Sequence, residues 1–178
     1  MWRNACISDT YEPGSAFKIV TATAAIETKA VDLDDDFFCP GYKIVEDRRI
    51  RCHKAGGHGS ETFYEGTLNS CNPVFMEVGA RVGITNMYKY FKRLGLFKKT
   101  DVDVPGEASS IMHKAKNVGQ VELATISFGQ SFQITPMQLL VASSAAINGG
   151  TLVTPHFGKE VTNSESKKIK DLKYKKQR

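Results

Sequence analysis

The hydrophobic positions change their spacing several times along the chain, and each change marks an element. From Ser15 the run Phe17, Ile19, Val20, Ala22, Ala24, Ala25 and Ile26, rich in small helix formers, predicts a helix from about Ser15 to Thr28. Tyr11-Glu12-Pro13-Gly14 is the turn that leads into it. Residues 32 to 60 lose the helical period: Asp32, Asp34 to Asp36, Pro40, Gly41, Gly56, Gly57 and Gly59 predict a long loop. Within it, Tyr42 to Val45 and Arg49 to Cys52 form a small hairpin across Glu46-Asp47-Arg48. Thr62 followed by Glu65 is a capping box for a short helix over about 63–70. Pro73 suits a first helical position, and Val74, Phe75, Val78 and Val82 give that helix an apolar stripe as far as Gly83. Thr85 caps another, with Met87, Tyr88, Phe91 and Leu94 inward and Gly95 as its stop. A loop over 96–118 precedes a helix at Gln120 to Ser127. Thr135-Pro136-Met137-Gln138 then opens a last helix that runs to Asn148 before Gly149-Gly150. Strand signals stand only at 42–52 and at Thr151 to Val153, so the pattern reads as mainly α.

Composition adds few constraints. With 178 residues, 41% of them hydrophobic, the chain can bury the core of one domain, and no apolar run approaches the roughly 18 residues a bilayer span needs. The opening Met1 to Cys6 has one positive charge and no apolar stretch behind it, so an export signal is expected outside this chain. The net charge of +5 is local. Residues 163–178 hold seven basic side chains and two acidic ones, leaving 17 of each sign in residues 1–162. The reading is a neutral body, 1–162, followed by a basic, solvated tail, with no nucleic-acid partner. Gly56-Gly57-His58-Gly59 lacks the lysine and the flanking strand and helix of a phosphate cradle.

Candidate chemistry starts at Ser15-Ala16-Phe17-Lys18. A serine and a lysine three apart at a helix start share one face about a turn apart, so the amine can take the serine proton. The helix N-terminus favours an anionic oxygen at the same place. Ser70-Cys71-Asn72 adds a second hydroxyl and an amide at a bend between two helices, where a proton relay and an amide clamp can face one cleft.

Taken together and in this order, these motifs resemble the transpeptidase domain of class B penicillin-binding proteins, of the division and sporulation type. The strings that carry the likeness are Trp2-Arg3-Asn4, Ile7 to Ser15, Ser70-Cys71-Asn72-Pro73, Ser127-Phe128-Gly129-Gln130 and Thr135 to Leu139. The resemblance implies a serine D,D-transpeptidase: Ser15 the acylated nucleophile, Lys18 the general base, Ser70 the proton relay and Asn72 the clamp on substrate amide and Lys18. It implies D-alanyl-D-alanine stem peptides of peptidoglycan as substrate and β-lactams as acylating mimics, on the extracytoplasmic face of the cell membrane, with no cofactor for the chemistry. A β-lactamase or β-lactam sensor shares the serine–lysine pair, and a zinc-stapled, non-catalytic binding module is the alternative from outside the enzymes. The family's Lys-Thr/Ser-Gly motif is absent; the nearest string is Lys99-Thr100-Asp101. The expected architecture is therefore the helical portion of an α/β transpeptidase domain, with most of the central sheet outside the chain and the isolated chain inactive as a transpeptidase. The face Phe17, Val20 and Ala24 of the first helix, and part of the Thr135 helix, are expected to await those missing segments of the domain.

Cys39, Cys52, His58 and Cys71, with His53 in reserve, carry the donors tetrahedral zinc prefers. Their spacing is not finger-like, and a Cys39–Cys52 disulfide or free buried thiols are the alternatives. Cys6 reads as a lone core thiol, and His113 and His156 as surface or packing residues.

Overall fold

The structure, a computed structural model, describes residues 3–174 and 176–177; Trp2 of the resemblance and the tail residues Lys175 and Arg178 lie outside them. A short α1 (Ala5–Ser8) precedes a 3₁₀ turn, Gly14–Phe17, that runs straight into α2 (Lys18–Glu27). Next come β1 (Asp36–Cys39), β2 (Tyr42–Val45), β3 (Arg48–Arg51), β4 (Gly59–Thr62), α3 (Phe63–Leu68) and α4 (Asn72–Arg93). The chain continues through α5 (Gln120–Ile126), α6 (Pro136–Ile147), β5 (Leu152–Val153), β6 (Glu160–Thr162), β7 (Lys168–Asp171) and β8 (Lys176–Gln177). Among the described residues the strands pair as four two-stranded antiparallel sheets: β1 with β4, β2 with β3, β5 with β8 and β6 with β7.

Local chemistry accounts for the helix starts. Thr62 Oγ1 accepts the Glu65 N–H at 3.2 Å while Glu65 Oε2 accepts the Thr62 N–H at 2.8 Å, and Thr135 with Gln138 repeats this at 3.1 and 3.0 Å. Gly83 (φ 73°, ψ 159°) breaks α4 internally, so the two helices expected on either side of it lie end to end across a kink.

Helix α2 is the centre of the core. Phe17, Val20, Thr21, Ala24 and Ala25 are buried, and the alanines let α4 and α6 approach closely. The Phe17 ring meets Phe91 and Phe132 edge-on, with centroids 5.3 and 4.6 Å apart. Phe17, Val20 and Ala24 are thus covered within the chain, against expectation. The open apolar positions lie on the other side of the helix: Ile19 is 37% and Ile26 48% exposed, and on α6 Leu140 is 61% and Ile147 82% exposed. Seven residues separate the members of each pair, so each helix presents a stripe to solvent.

Helices outweigh strands and the fold is α/β, with several strands that the hydrophobic pattern hides. In β1, Phe37 and Cys39 point in and Phe38 out, an alternation only four residues long, and its partner β4 begins 20 residues after β1 ends. Strands β6 and β7 are exposed along their whole length and carry one apolar residue each, Val161 and Ile169, too little to mark a strand. Cys6 is exposed, not a core thiol, since α1 buries only Ile7.

Helix α4 touches α5 where Gly79 faces Ser127. A Cβ on Gly79 would sit 1.7 Å from Ser127 Oγ and 2.7 Å from Ser127 Cβ. Gly79→Ala therefore overpacks a filled site and should destabilise the chain by about 1–3 kcal/mol, lowering its melting temperature by several degrees. Gly56→Ala, with nothing within 4 Å of the new methyl, is the control for the same thermal melt. Equal melting of the two variants would contradict the packing described.

Candidate active site

The 3₁₀ turn leaves Ser15 exposed at the mouth of α2 and sends Lys18, one turn on, into the interior. Lys18 Nζ lies 3.1 Å from Ser15 Oγ, 3.0 Å from Ser70 Oγ, 2.6 Å from the Ser70 carbonyl oxygen and 2.7 Å from Asn72 Oδ1. An ammonium has three hydrogens for these four acceptors. Once the amine is neutral, it keeps two donors for the loop and turns a lone pair to a serine hydroxyl. Burial lowers the Lys18 pKa from 10.5 to about 8, partly offset by the nearby Cys71 and Cys52, which raise it. An amine poised near neutrality within hydrogen-bond reach of a hydroxyl is the geometry of general-base activation.

The loop that supplies the other two groups is a helix end. Ser70 N–H bonds Thr67 O at 3.1 Å and Cys71 N–H bonds Gly66 O at 2.8 Å, the paired closure of a left-handed helix cap. The left-handed position, usually glycine, is Ser70, at φ 51°. This strained backbone aims both the Ser70 carbonyl and its hydroxyl at Lys18. Asn72 then opens α4. Its Oδ1 accepts from Lys18 while its Nδ2 donates to the Arg51 carbonyl of β3 at 3.4 Å, so the amide bridges the base and the strand edge.

Directly behind this loop, the structure brings Cys39, Cys52, His58 and Cys71 together, one donor atom from each within 4.8 Å of the others. They come from the end of β1, the residue after β3, the residue before β4 and the residue before α4. Cys39 and Cys52 are free thiols in the structure. His53 stays at the rim, exposed, with Nδ1 3.8 Å from Cys52 Sγ. Burial pushes the Cys71 thiol up, as do the Glu61 carboxylate and Cys39 beside it. Glu61 was not legible as part of this group. It is buried, its Oε2 accepts from Asn69 Nδ2 at 3.0 Å, and its Oε1 lies 3.8 Å from His58 Nδ1. Among the described residues this Oε1 is the buried side-chain oxygen left without a hydrogen-bond partner.

The remaining candidates sit apart from both clusters. His113 and His156 are exposed, and His156 stacks on Tyr174 at 3.7 Å. Thr100 of Lys99-Thr100-Asp101 spends its N–H and hydroxyl on Glu107 in a loop, both at 2.6 Å.

Residues 1–178 match the family described as the penicillin binding protein transpeptidase domain. The chain belongs to that family. Stage V sporulation protein D of Bacillus subtilis is 47% identical over 167 residues, covering 93% of this chain and 26% of that protein. The peptidoglycan D,D-transpeptidase MrdA of Acinetobacter baumannii is 29% identical over 164 residues, 86% of this chain and 24% of that protein. The chain thus spans about a quarter of the length of these curated relatives. Penicillin binding protein 3 from Mycobacterium tuberculosis, solved with aztreonam, shares the fold: TM-score 0.87 at 24% identity over 99% of this chain and 39% of that one. PBP2 from Helicobacter pylori superposes with a TM-score of 0.77 at 27% identity, over 87% and 31% of the two chains. No described helix is long and apolar enough to cross a membrane.

The lowered Lys18 pKa has a stability signature. Between about 8 and 10.5 the unfolded chain holds a proton on this amine that the folded chain has lost, so folding stability gains with rising pH across that window. Lys18→Met lacks the titration. The melting temperature of the unmodified protein should therefore rise relative to Lys18→Met from pH 8 to 10, and parallel curves would show that Lys18 titrates at its ordinary value.

Proposed function

We propose that the chain is the catalytic part of a peptidoglycan D,D-transpeptidase, a serine acyltransferase acting on D-alanyl-D-alanine stem peptides and acylated by β-lactams. The observation that carries this reading is the single amine, Lys18 Nζ, within 3.1 Å of Ser15 Oγ, Ser70 Oγ and Asn72 Oδ1 at once. Ser15 Oγ attacks the carbonyl carbon of the D-Ala-D-Ala bond and its proton passes to Lys18. The tetrahedral intermediate collapses as Ser70 hands its proton to the departing D-alanine amine and takes one back from Lys18, leaving an ester on Ser15 and a neutral amine. An acceptor amine then attacks the ester, the new peptide bond forms and Ser15 regains its proton. Asn72 holds the base and offers its amide to the substrate. Family membership and the relatives' names support this reading over a β-lactamase, a β-lactam sensor or a non-catalytic zinc module. The 47% likeness to a sporulation protein favours a sporulation role, at the extracytoplasmic face where peptidoglycan is built. The open stripes Ile19 and Ile26 on α2, and Leu140 and Ile147 on α6, are the faces that further segments of the transpeptidase domain cover.

The second part of the proposal is a structural zinc ion held by Cys39, Cys52, His58 and Cys71. Three sulfurs and an imidazole are the donors of a closed tetrahedral site, and the unpartnered Glu61 Oε1 beside them is an acceptor for which a cation provides compensation. The ion supplies no step of the acyl transfer; it ties the hairpin β2–β3 and strand β1 to the back of the Ser70 loop.

In the full-length gene product a fluorescent penicillin should form an adduct on Ser15, located by peptide mass spectrometry. Ser15→Ala should abolish labelling without loss of fold, because the side chain is exposed. An adduct elsewhere, or labelling that survives in Ser15→Ala, would sink the assignment.

Chelation gives an independent check on the metal. Protein purified without chelator should contain about one zinc per chain, and its removal should lower the melting temperature and slow penicillin acylation together. Substoichiometric zinc, or indifference of both quantities to chelation, would remove the ion from the account.

A further inference from the structure

Ser127-Phe128-Gly129-Gln130 takes no part in the proton path, yet the segment 127–134 grips both flanks of Ser15. Ahead of the serine, the Gly14 N–H donates to Gly129 O at 2.8 Å, and Tyr11 and Ile134 exchange both backbone hydrogen bonds at 3.1 Å. Thr10 Oγ1 donates to Gln133 Oε1 at 2.8 Å, and Glu12 Oε1 accepts the Ser131 N–H at 2.9 Å. Behind the serine, Phe17 packs edge-on against Phe132 and Thr21 Oγ1 donates to Ser127 O at 2.9 Å. The segment is itself braced: Ser127 Oγ donates to Leu123 O at 2.7 Å, and Thr125 Oγ1 and Ser131 Oγ share a hydrogen bond at 2.8 Å.

The approach is closest at Gly129. Its φ is +86°, and a Cβ there would lie 2.0 Å from Gly14 O and 2.7 Å from Gly14 C. Both obstructing atoms are backbone, one residue from the serine, and so cannot yield without moving Ser15. Glu12 is exposed, and its carboxylate accepts the Ser131 N–H from the solvent side of the segment.

We propose that the segment 127–134 is a positioning clamp that sets Ser15 Oγ against the scissile carbonyl, with Gly129 and Glu12 as its positioning residues. The proposal rests on Ser15 being the acylated nucleophile. Neither residue touches the reacting atoms. Their contribution is to the orientation of the attack, where a misplacement of about 1 Å can cost on the order of 10²-fold in rate.

The test separates the rate of acylation from the affinity of the preceding non-covalent complex, using a β-lactam and the full-length gene product. Gly129→Ala should slow acylation about 100-fold while the non-covalent dissociation constant changes less than about threefold. Glu12→Ala should slow it about tenfold, and Glu12→Gln should recover most of that loss, because an amide oxygen still accepts the Ser131 N–H. The Glu12 pair decides the matter if Gly129→Ala does not fold. Acylation at the unmodified rate in Glu12→Ala and in any folded Gly129→Ala would overturn the clamp. So would a Glu12→Gln variant as slow as Glu12→Ala with an equal fall in melting temperature, which marks a merely structural loss. Failure of the unmodified protein to acylate at Ser15 would instead defeat the nucleophile assignment, and the clamp with it.

Discussion

One buried amine organises the molecule. Lys18 leaves water on the first turn of α2 and meets four oxygens contributed by three short pieces of chain: the turn before the helix, the left-handed residue Ser70 and the first residue of α4. Burying an ammonium is unfavourable, and these acceptors make it tolerable. The same desolvation lowers the amine's pKa to about 8, so the neutral form that takes a proton from a hydroxyl becomes accessible. Structure and chemistry therefore draw on one arrangement: whatever holds Ser70 and Asn72 in place also holds the base in its working state.

Two devices hold that loop. One is the helix-end geometry of α3, in which a serine accepts the conformation glycine normally takes, so that its carbonyl as well as its hydroxyl reaches Lys18. The other is Cys71, which lies between Ser70 and Asn72 in sequence but points away from them, into the sulfur–imidazole cluster. The backbone changes from left-handed at Ser70 to extended at Cys71 and helical at Asn72, so neighbouring residues serve opposite sides. With the proposed zinc bound, the loop is fixed from behind by coordination and from in front by Lys18. Glu61 joins the two, with one oxygen on Asn69 at the loop and the other beside His58.

Much of this was legible in the residue order. Helical spacing places Ser15 and Lys18 on one face, and the capping boxes at Thr62 and Thr135 mark the starts of α3 and α6 within a residue. The cysteines and histidine were legible as donors by type, while their convergence depends on β1 pairing with β4 across the intervening hairpin, a contact that local periodicity does not encode. The covered face of α2 departs from the sequence pattern for a related reason. Phe17, Val20 and Ala24 look like a stripe awaiting a sheet, but all three are buried within the chain, Phe17 against Phe91 and Phe132 far along it, and the open stripe is Ile19 and Ile26. Glu61 carried no signal in the sequence. An isolated glutamate reads as surface, and only its burial beside His58 marks it out.

The central claim is that Lys18, its pKa lowered to about 8 by burial, is the base for Ser15. The pH dependence of the acylation rate of the full-length gene product by a β-lactam that does not itself titrate between pH 6 and 10 measures this directly. The rate should rise as a single ionisation with a midpoint at about 8 and then level off. A rate independent of pH over that range, or one still climbing at pH 10 toward the ordinary lysine value, would contradict the claim.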